Sequence, residues 1–127
     1  MKGMATSNIL IAEDDPVLRN LYQKKFALTG FQIRTAQDGE EAIRLITEQL
    51  PDLLILDIQM PKMDGFQVLE MLPREKRPFP VILLSNLADQ RTQTRCQELG
   101  ADGFLIKKDM TIKALLDLTE KLLKLRA

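Results

Sequence analysis

Apolar residues along this chain follow two patterns that alternate five times. One is the short contiguous run: Ile9-Leu10-Ile11-Ala12, Leu53-Leu54-Ile55-Leu56, Val81-Ile82-Leu83-Leu84 and Phe104-Leu105-Ile106. Runs of this length, bounded by polar residues, predict strands buried on both faces, as in the middle of a parallel sheet. Phe31-Gln32-Ile33-Arg34-Thr35-Ala36 instead alternates apolar and polar, as a strand with one wetter face would.

Stretches with helical spacing lie between the runs. Asp15-Pro16 predicts a helix start, since aspartate caps well and proline suits the first helical position. Val17, Leu18, Leu21 and Leu28 predict its buried face, with Tyr22 and Phe26 at the margin and Gly30 as its stop. Asp38 and Glu41 stand at capping-box spacing before a helix with Ala42, Ile43, Ile46 and Leu50 on one stripe. Asp64-Gly65 opens a third helix, buried through Val68, Leu69 and Leu72 and ended by Pro73. The fourth, about Asp89 to Leu99, offers only Thr92, Cys96 and Leu99 as an inner face, which predicts weak anchorage. The last runs from Ile112 to Arg126, capped by Thr111. Its Ile112, Leu116, Thr119 and Leu123 make one stripe, and Leu115, Leu118, Leu122 and Leu125 a second at 3-4-3 spacing. The pair reads either as one wide core face or as a core face beside a helix-pairing seam. Strands alternating with helices predict an α/β fold, with a parallel sheet, helices on both faces and right-handed crossovers.

At 127 residues the chain suits one domain with a real core. We expect residues 1–8 to form a short disordered lead-in or cloning remnant, and residues 9–127 the domain. Eighteen basic residues balance eighteen acidic ones, which gives no reason to expect nucleic acid or an anionic membrane as a direct partner. No apolar run approaches the ~18 residues of a membrane span. The single cysteine, Cys96, cannot form an intrachain disulfide and fits a cytoplasmic setting. With no histidine, imidazole bases and phosphohistidine are excluded.

The chemistry stands at the strand ends. Glu13 and Asp14 follow the first run, Asp57 the third strand, Ser85 the fourth and Lys107 the fifth. In a parallel sheet these ends share one edge, where ligands bind in open α/β folds. Three clustered carboxylates should bind a hard cation, and magnesium (or manganese) suits such oxygen donors. A carboxylate can also attack phosphorus, given a metal, a lysine and a hydroxyl around the phosphoryl oxygens. Asp15 reads as a helix cap, Lys108 as a solvated charge and Cys96 as a packing residue. A flavin-binding module would need a hydroxyl- or glycine-rich loop where Glu13-Asp14-Asp15 stands. A dehalogenase-type phosphatase would want a second aspartate where Gln59 stands. An interaction scaffold that signals without phosphorylation stays open.

Four segments carry a resemblance: Ile9 to Pro16, Leu54 to Pro61 with Asp64-Gly65, Leu83-Leu84-Ser85, and Gly100 to Lys107. Together they resemble the receiver domain of two-component response regulators, of the single-domain chemotaxis type, over Ile9 to Arg126. The resemblance implies a flavodoxin-like, doubly wound (βα)5 three-layer sandwich with a five-stranded parallel sheet in order 2-1-3-4-5. It implies that Asp57 accepts a phosphoryl group from a histidine kinase or phosphotransfer protein. Magnesium would be held by Glu13 (directly or through water), Asp14, Asp57 and the backbone carbonyl of Gln59. Ser85 and Lys107 would hold the phosphoryl oxygens, and Ser85 with Phe104 would form the switch. The fourth helix, fifth strand and fifth helix would be the surface that changes, for a downstream protein or a phosphorylation-dependent homodimer. The only catalysis implied is the domain's own phosphorylation and dephosphorylation. Gln59 and Leu87 occupy rate-tuning places. Two positions depart from the pattern: Asn86 where a small residue is common, and Lys108 where proline, often cis, is common. A non-proline cis bond costs about 2.5–4 kcal/mol, so a trans or rearranged loop is expected. No output domain follows Arg126, so the chain reads as a stand-alone receiver or a piece of a longer protein.

Overall fold

A computed structural model describes residues 7–126. The elements run β1 (Asn8–Ala12), α1 (Pro16–Ala27), β2 (Gln32–Ala36), α2 (Gly39–Glu48), β3 (Leu53–Asp57), α3 (Gly65–Met71), a 3-10 turn (Arg74–Lys76), β4 (Val81–Ser85), α4 (Gln90–Glu98), β5 (Gly103–Ile106) and α5 (Ile112–Arg126). All strands are parallel and their order is β2-β1-β3-β4-β5, the doubly wound order expected. Every residue of β1, β3 and β4 is buried, which is why those strands read as continuous apolar runs.

Two apolar layers sandwich the sheet. Leu10, Leu54, Leu56, Leu83 and Cys96 belong to the one that takes in Ala42, Ile46, Val68 and Leu69 of α2 and α3. Ile9, Ile11, Ile55, Ile82 and Leu84 belong to the other, with Tyr22, Phe26 and Leu115 of α1 and α5. Caps set the helix starts as expected. Asp15 accepts from Val17 and Leu18, Asp38 from Glu41, and Asp64 from Gln67 in a reciprocal capping box.

Three local expectations need correction, and one alternative left open is resolved. Asn8 is the first residue of β1 and buried, so the domain begins before Ile9; residues 1–6 of the expected lead-in lie outside the described residues. In α1 the buried face is Tyr22 and Phe26 with Leu18 beside them, whereas Val17, Leu21 and Leu28 are exposed. Positions 18, 22 and 26 form their own i, i+4 row, and burying two aromatic rings removes more apolar area than burying the aliphatics. Leu50 lies beyond the end of α2 and is exposed. The two stripes of α5 merge into one core face, because Leu115 is fully buried and Leu118 and Leu122 pack on the same layer as Ile112, Leu116 and Leu123. Leu125 alone of the proposed seam is exposed.

The β3–α3 loop lies against the start of α2. A Cβ at Gly39 would stand 2.0 Å from the Met63 carbonyl oxygen, a clash with backbone. Gly39→Ala is expected to cost about 3 kcal/mol in urea denaturation, and a loss under about 1 kcal/mol would show that the loop yields freely.

Candidate functional site

The parallel register brings the strand ends to one edge. Asp57 closes β3 opposite Leu84, and Ser85 closes β4 opposite Ile106, one residue before Lys107. Gly65 lets α3 start close by: a Cβ there would lie 2.6 Å from the Asp57 carbonyl oxygen. An open cleft at this edge is lined by Glu13, Asp14, Asp15, Leu18, Asp57, Gln59, Asn86 and Lys107.

Lys107 sits between two buried carboxylates. Its Nζ donates to Asp57 Oδ2 at 2.9 Å and forms an ion pair with Glu13 Oε1 at 2.7 Å. Asp57 is 1% exposed and Glu13 0%. The second oxygen of each is held by backbone: Asp15 N–H donates to Glu13 Oε2 at 3.1 Å, and Gln59 N–H to Asp57 Oδ1 at 3.3 Å. Burial pushes the Asp57 carboxyl up to about 7; Lys107 opposes the rise and Glu13 adds to it. Burial pulls the Lys107 ammonium down, but its bonds to Glu13 and Asp57 outweigh that and raise its pKa. Tyr22, in the layer beneath, is driven to about 12 by burial and then by Glu13.

Asp14 is exposed, and one carboxylate oxygen each from Glu13, Asp14 and Asp57 lies within 4.8 Å of the others. This hard-oxygen set, open on the Asp14 side, fits magnesium or manganese. The ion would supply shielding of negative charge and a ligand position for a phosphoryl oxygen.

The remaining expected positions surround the cleft. Ser85 is buried, and its Oγ accepts from Leu87 N–H at 2.9 Å. Gln59 reaches across the mouth, where its Oε1 accepts from Asn86 N–H at 3.4 Å. Asn86, Leu87 and Lys108 are exposed. Phe104 is half-buried two residues before Ile106, packed against the layer that contains Leu83 and Cys96. It stands in that layer and not in the cleft. Every described peptide bond is trans, Lys107–Lys108 included. Cys96 is buried with its thiol pushed up to about 11, as a packing residue would be.

A family model for the response regulator receiver domain matches residues 9–120. The chain belongs to that family. This receiver domain is 37% identical over 99 residues to a probable transcriptional regulator ycf27 of Guillardia theta, covering 78% of this chain and 39% of that one. It is 34% identical to the alkaline phosphatase synthesis transcriptional regulatory protein PhoP of Bacillus subtilis, over 78% of this chain and 41% of that one. The chain thus spans about two fifths of the length of these curated relatives. Among solved structures, the receiver domain of Francisella response regulator 1452 superposes with a TM-score of 0.90 at 30% identity, covering 96% of this chain and 100% of that one. The signal receiver domain of a signal transduction histidine kinase from Syntrophus aciditrophicus gives 0.85 at 36% identity, with 94% and 91% covered. Among the described residues, no helix of the receiver domain is long and apolar enough to cross a membrane.

Sequence reasoning did not single out Arg19. Its Nη1 donates to the carbonyl oxygens of Glu13 at 3.0 Å and Asp14 at 3.4 Å. Its place in the first turn after the Asp15 cap was a signal, since a long side chain there can reach back over the preceding loop.

Proposed function

We propose that this receiver domain takes a phosphoryl group on Asp57 from the phosphohistidine of a kinase or phosphotransfer protein, with magnesium, and signals through a changed surface. The observation that carries the proposal is a buried carboxylate at an open strand edge, bridged by a lysine and adjoining a metal-type acidic cluster. An Asp57 oxygen forms the new O–P bond as the N–P bond of the donor breaks, and the departing imidazole keeps the electron pair. Attack requires the ionised carboxylate, so a cation beside Asp57 and Lys107 at its Oδ2 favour the reactive form. Glu13 (directly or through water), Asp14, Asp57 and the Gln59 carbonyl would hold the ion. Lys107 and the Ser85 hydroxyl then hold phosphoryl oxygens. Gln59 and Asn86 line the cleft, and with Leu87 and Lys108 beside it they set the lifetime of the acyl phosphate. Beyond this self-directed chemistry the domain is no enzyme, and a donor phosphorylated from ATP places it in the cytoplasm.

The output surface is α4, β5 and α5. Drawing Ser85 toward the phosphoryl group frees space for Phe104. The helix between them moves cheaply, because α4 buries only Thr92 and Cys96 and its Asp89 cap makes no side-chain bond to the helix amides. A downstream protein reads this surface, and two phosphorylated copies would pair through it.

Intact-mass measurement after acetyl phosphate and magnesium tests the proposal. The native chain should gain one phosphoryl group and Asp57→Asn none. Labelling of both, or of neither under conditions that label another receiver, would defeat it and leave a scaffold that signals without phosphorylation.

A further inference from the structure

Asp14 presents the exposed carboxylate of the acidic cluster, yet little holds it in place. Glu13 is tied to the sheet through its N–H, which donates to Ala36 O at 3.0 Å. Asp15 is fixed from both sides: its amide donates to Glu13, and its side chain and carbonyl oxygens accept from Val17, Leu18 and Arg19. Among the described residues, the hydrogen bond that reaches Asp14 is the one from Arg19 Nη1 to its carbonyl oxygen. The same nitrogen holds the Glu13 carbonyl. Arg19 is itself anchored, half-buried on α1, with its amide donating to Asp15 O at 2.8 Å.

We propose that Arg19 is a positioning residue for the divalent-cation site: by clamping the Glu13 and Asp14 carbonyls it holds the Asp14 carboxylate facing Asp57. The inference rests on the metal-dependent reading above and deepens it. Two effects of Arg19 on cation binding oppose each other. Its positive charge beside the carboxylates repels a cation, so on charge alone its removal would tighten binding. Its clamp pre-orders the loop, so its removal would make the cation bear the ordering entropy and weaken binding. With the guanidinium turned onto carbonyls and not onto the carboxylates, the clamp dominates.

The sign of the change therefore decides. Magnesium affinity of the unphosphorylated protein would be measured by calorimetry and by amide shifts of Asp14 and Gln59. Arg19→Met, which keeps the apolar stem and removes the donors, should weaken binding about tenfold. Arg19→Lys, which keeps the charge as a compact ammonium with a different reach, should weaken it about threefold. Unchanged or tighter binding in Arg19→Met would overturn the proposal. Should that variant fail to fold, Arg19→Lys carries the test, and affinity equal to or tighter than native would overturn it. Failure of the native protein to bind magnesium would instead defeat the metal-dependent reading itself, so the two failures are distinct.

Discussion

At pH 8 and without divalent cations, Asp57→Asn should melt about 10 °C above the native protein. Asp57 titrates near 3.8 in an unfolded chain and near 7 in the fold, raised chiefly by burial. Between those values the folded state binds more protons than the unfolded one, so this group makes stability fall as pH rises through that window. Above pH 7 the ionised carboxylate costs on the order of 2–4 kcal/mol, which an uncharged amide of the same shape avoids. The gap between variant and native should shrink by more than half at pH 5, where the folded native carboxyl is already protonated. Thermal melts of both proteins at pH 5 and pH 8 are the measurement. A variant that melts below the native protein at pH 8, or a gap that ignores pH, would refute the view that Asp57 is kept reactive at the expense of stability.

Lys107→Met should have the opposite effect. It leaves Glu13 and Asp57, both essentially inaccessible, facing each other without the ammonium that now lies 2.7 and 2.9 Å from them. Removing one partner of a buried ion pair costs about 3–5 kcal/mol, because the remaining charge is neither solvated nor paired. Two remedies should each restore part of the loss: lowering the pH to 5, which neutralises Asp57, or adding Asp57→Asn in the double variant. Urea denaturation of the four proteins gives the coupling directly. Should Lys107→Met prove as stable as the native chain at pH 8, the lysine would be a solvated end-of-strand charge with no structural hold on the carboxylates.

These two effects depend on facts with different visibility in the sequence. That Asp57 and Lys107 both stand at strand ends on one edge of the sheet was legible, since an unbroken apolar run marks a strand and the first polar residue after it marks the edge. The caps Asp15, Asp38, Asp64 and Thr111 were legible for the same local reason: each is a short side chain accepting from amides two or three residues away. The rotation of α1 was not. Its surface offers apolar groups nearly all round, and only the sheet beneath decides that Tyr22 and Phe26 turn inward while Val17 and Leu21 stay wet. The doubled leucine stripe of α5 carried the same ambiguity, resolved by the seating of Leu115 and Leu118 on the sheet layer.

The sequence by itself determined the elements, their alternation into a parallel sheet and the residues delivered to one edge, because hydrophobic period and capping act within a few residues. Only the tertiary structure decided what those residues became. It buried Glu13 and left Asp14 in water, placed Lys107 between two carboxylates, and laid Arg19 across the carbonyls of the loop that bears them. A carboxylate's charge state and hold depend on which distant segments exclude water around it, and no local pattern along the chain encodes that.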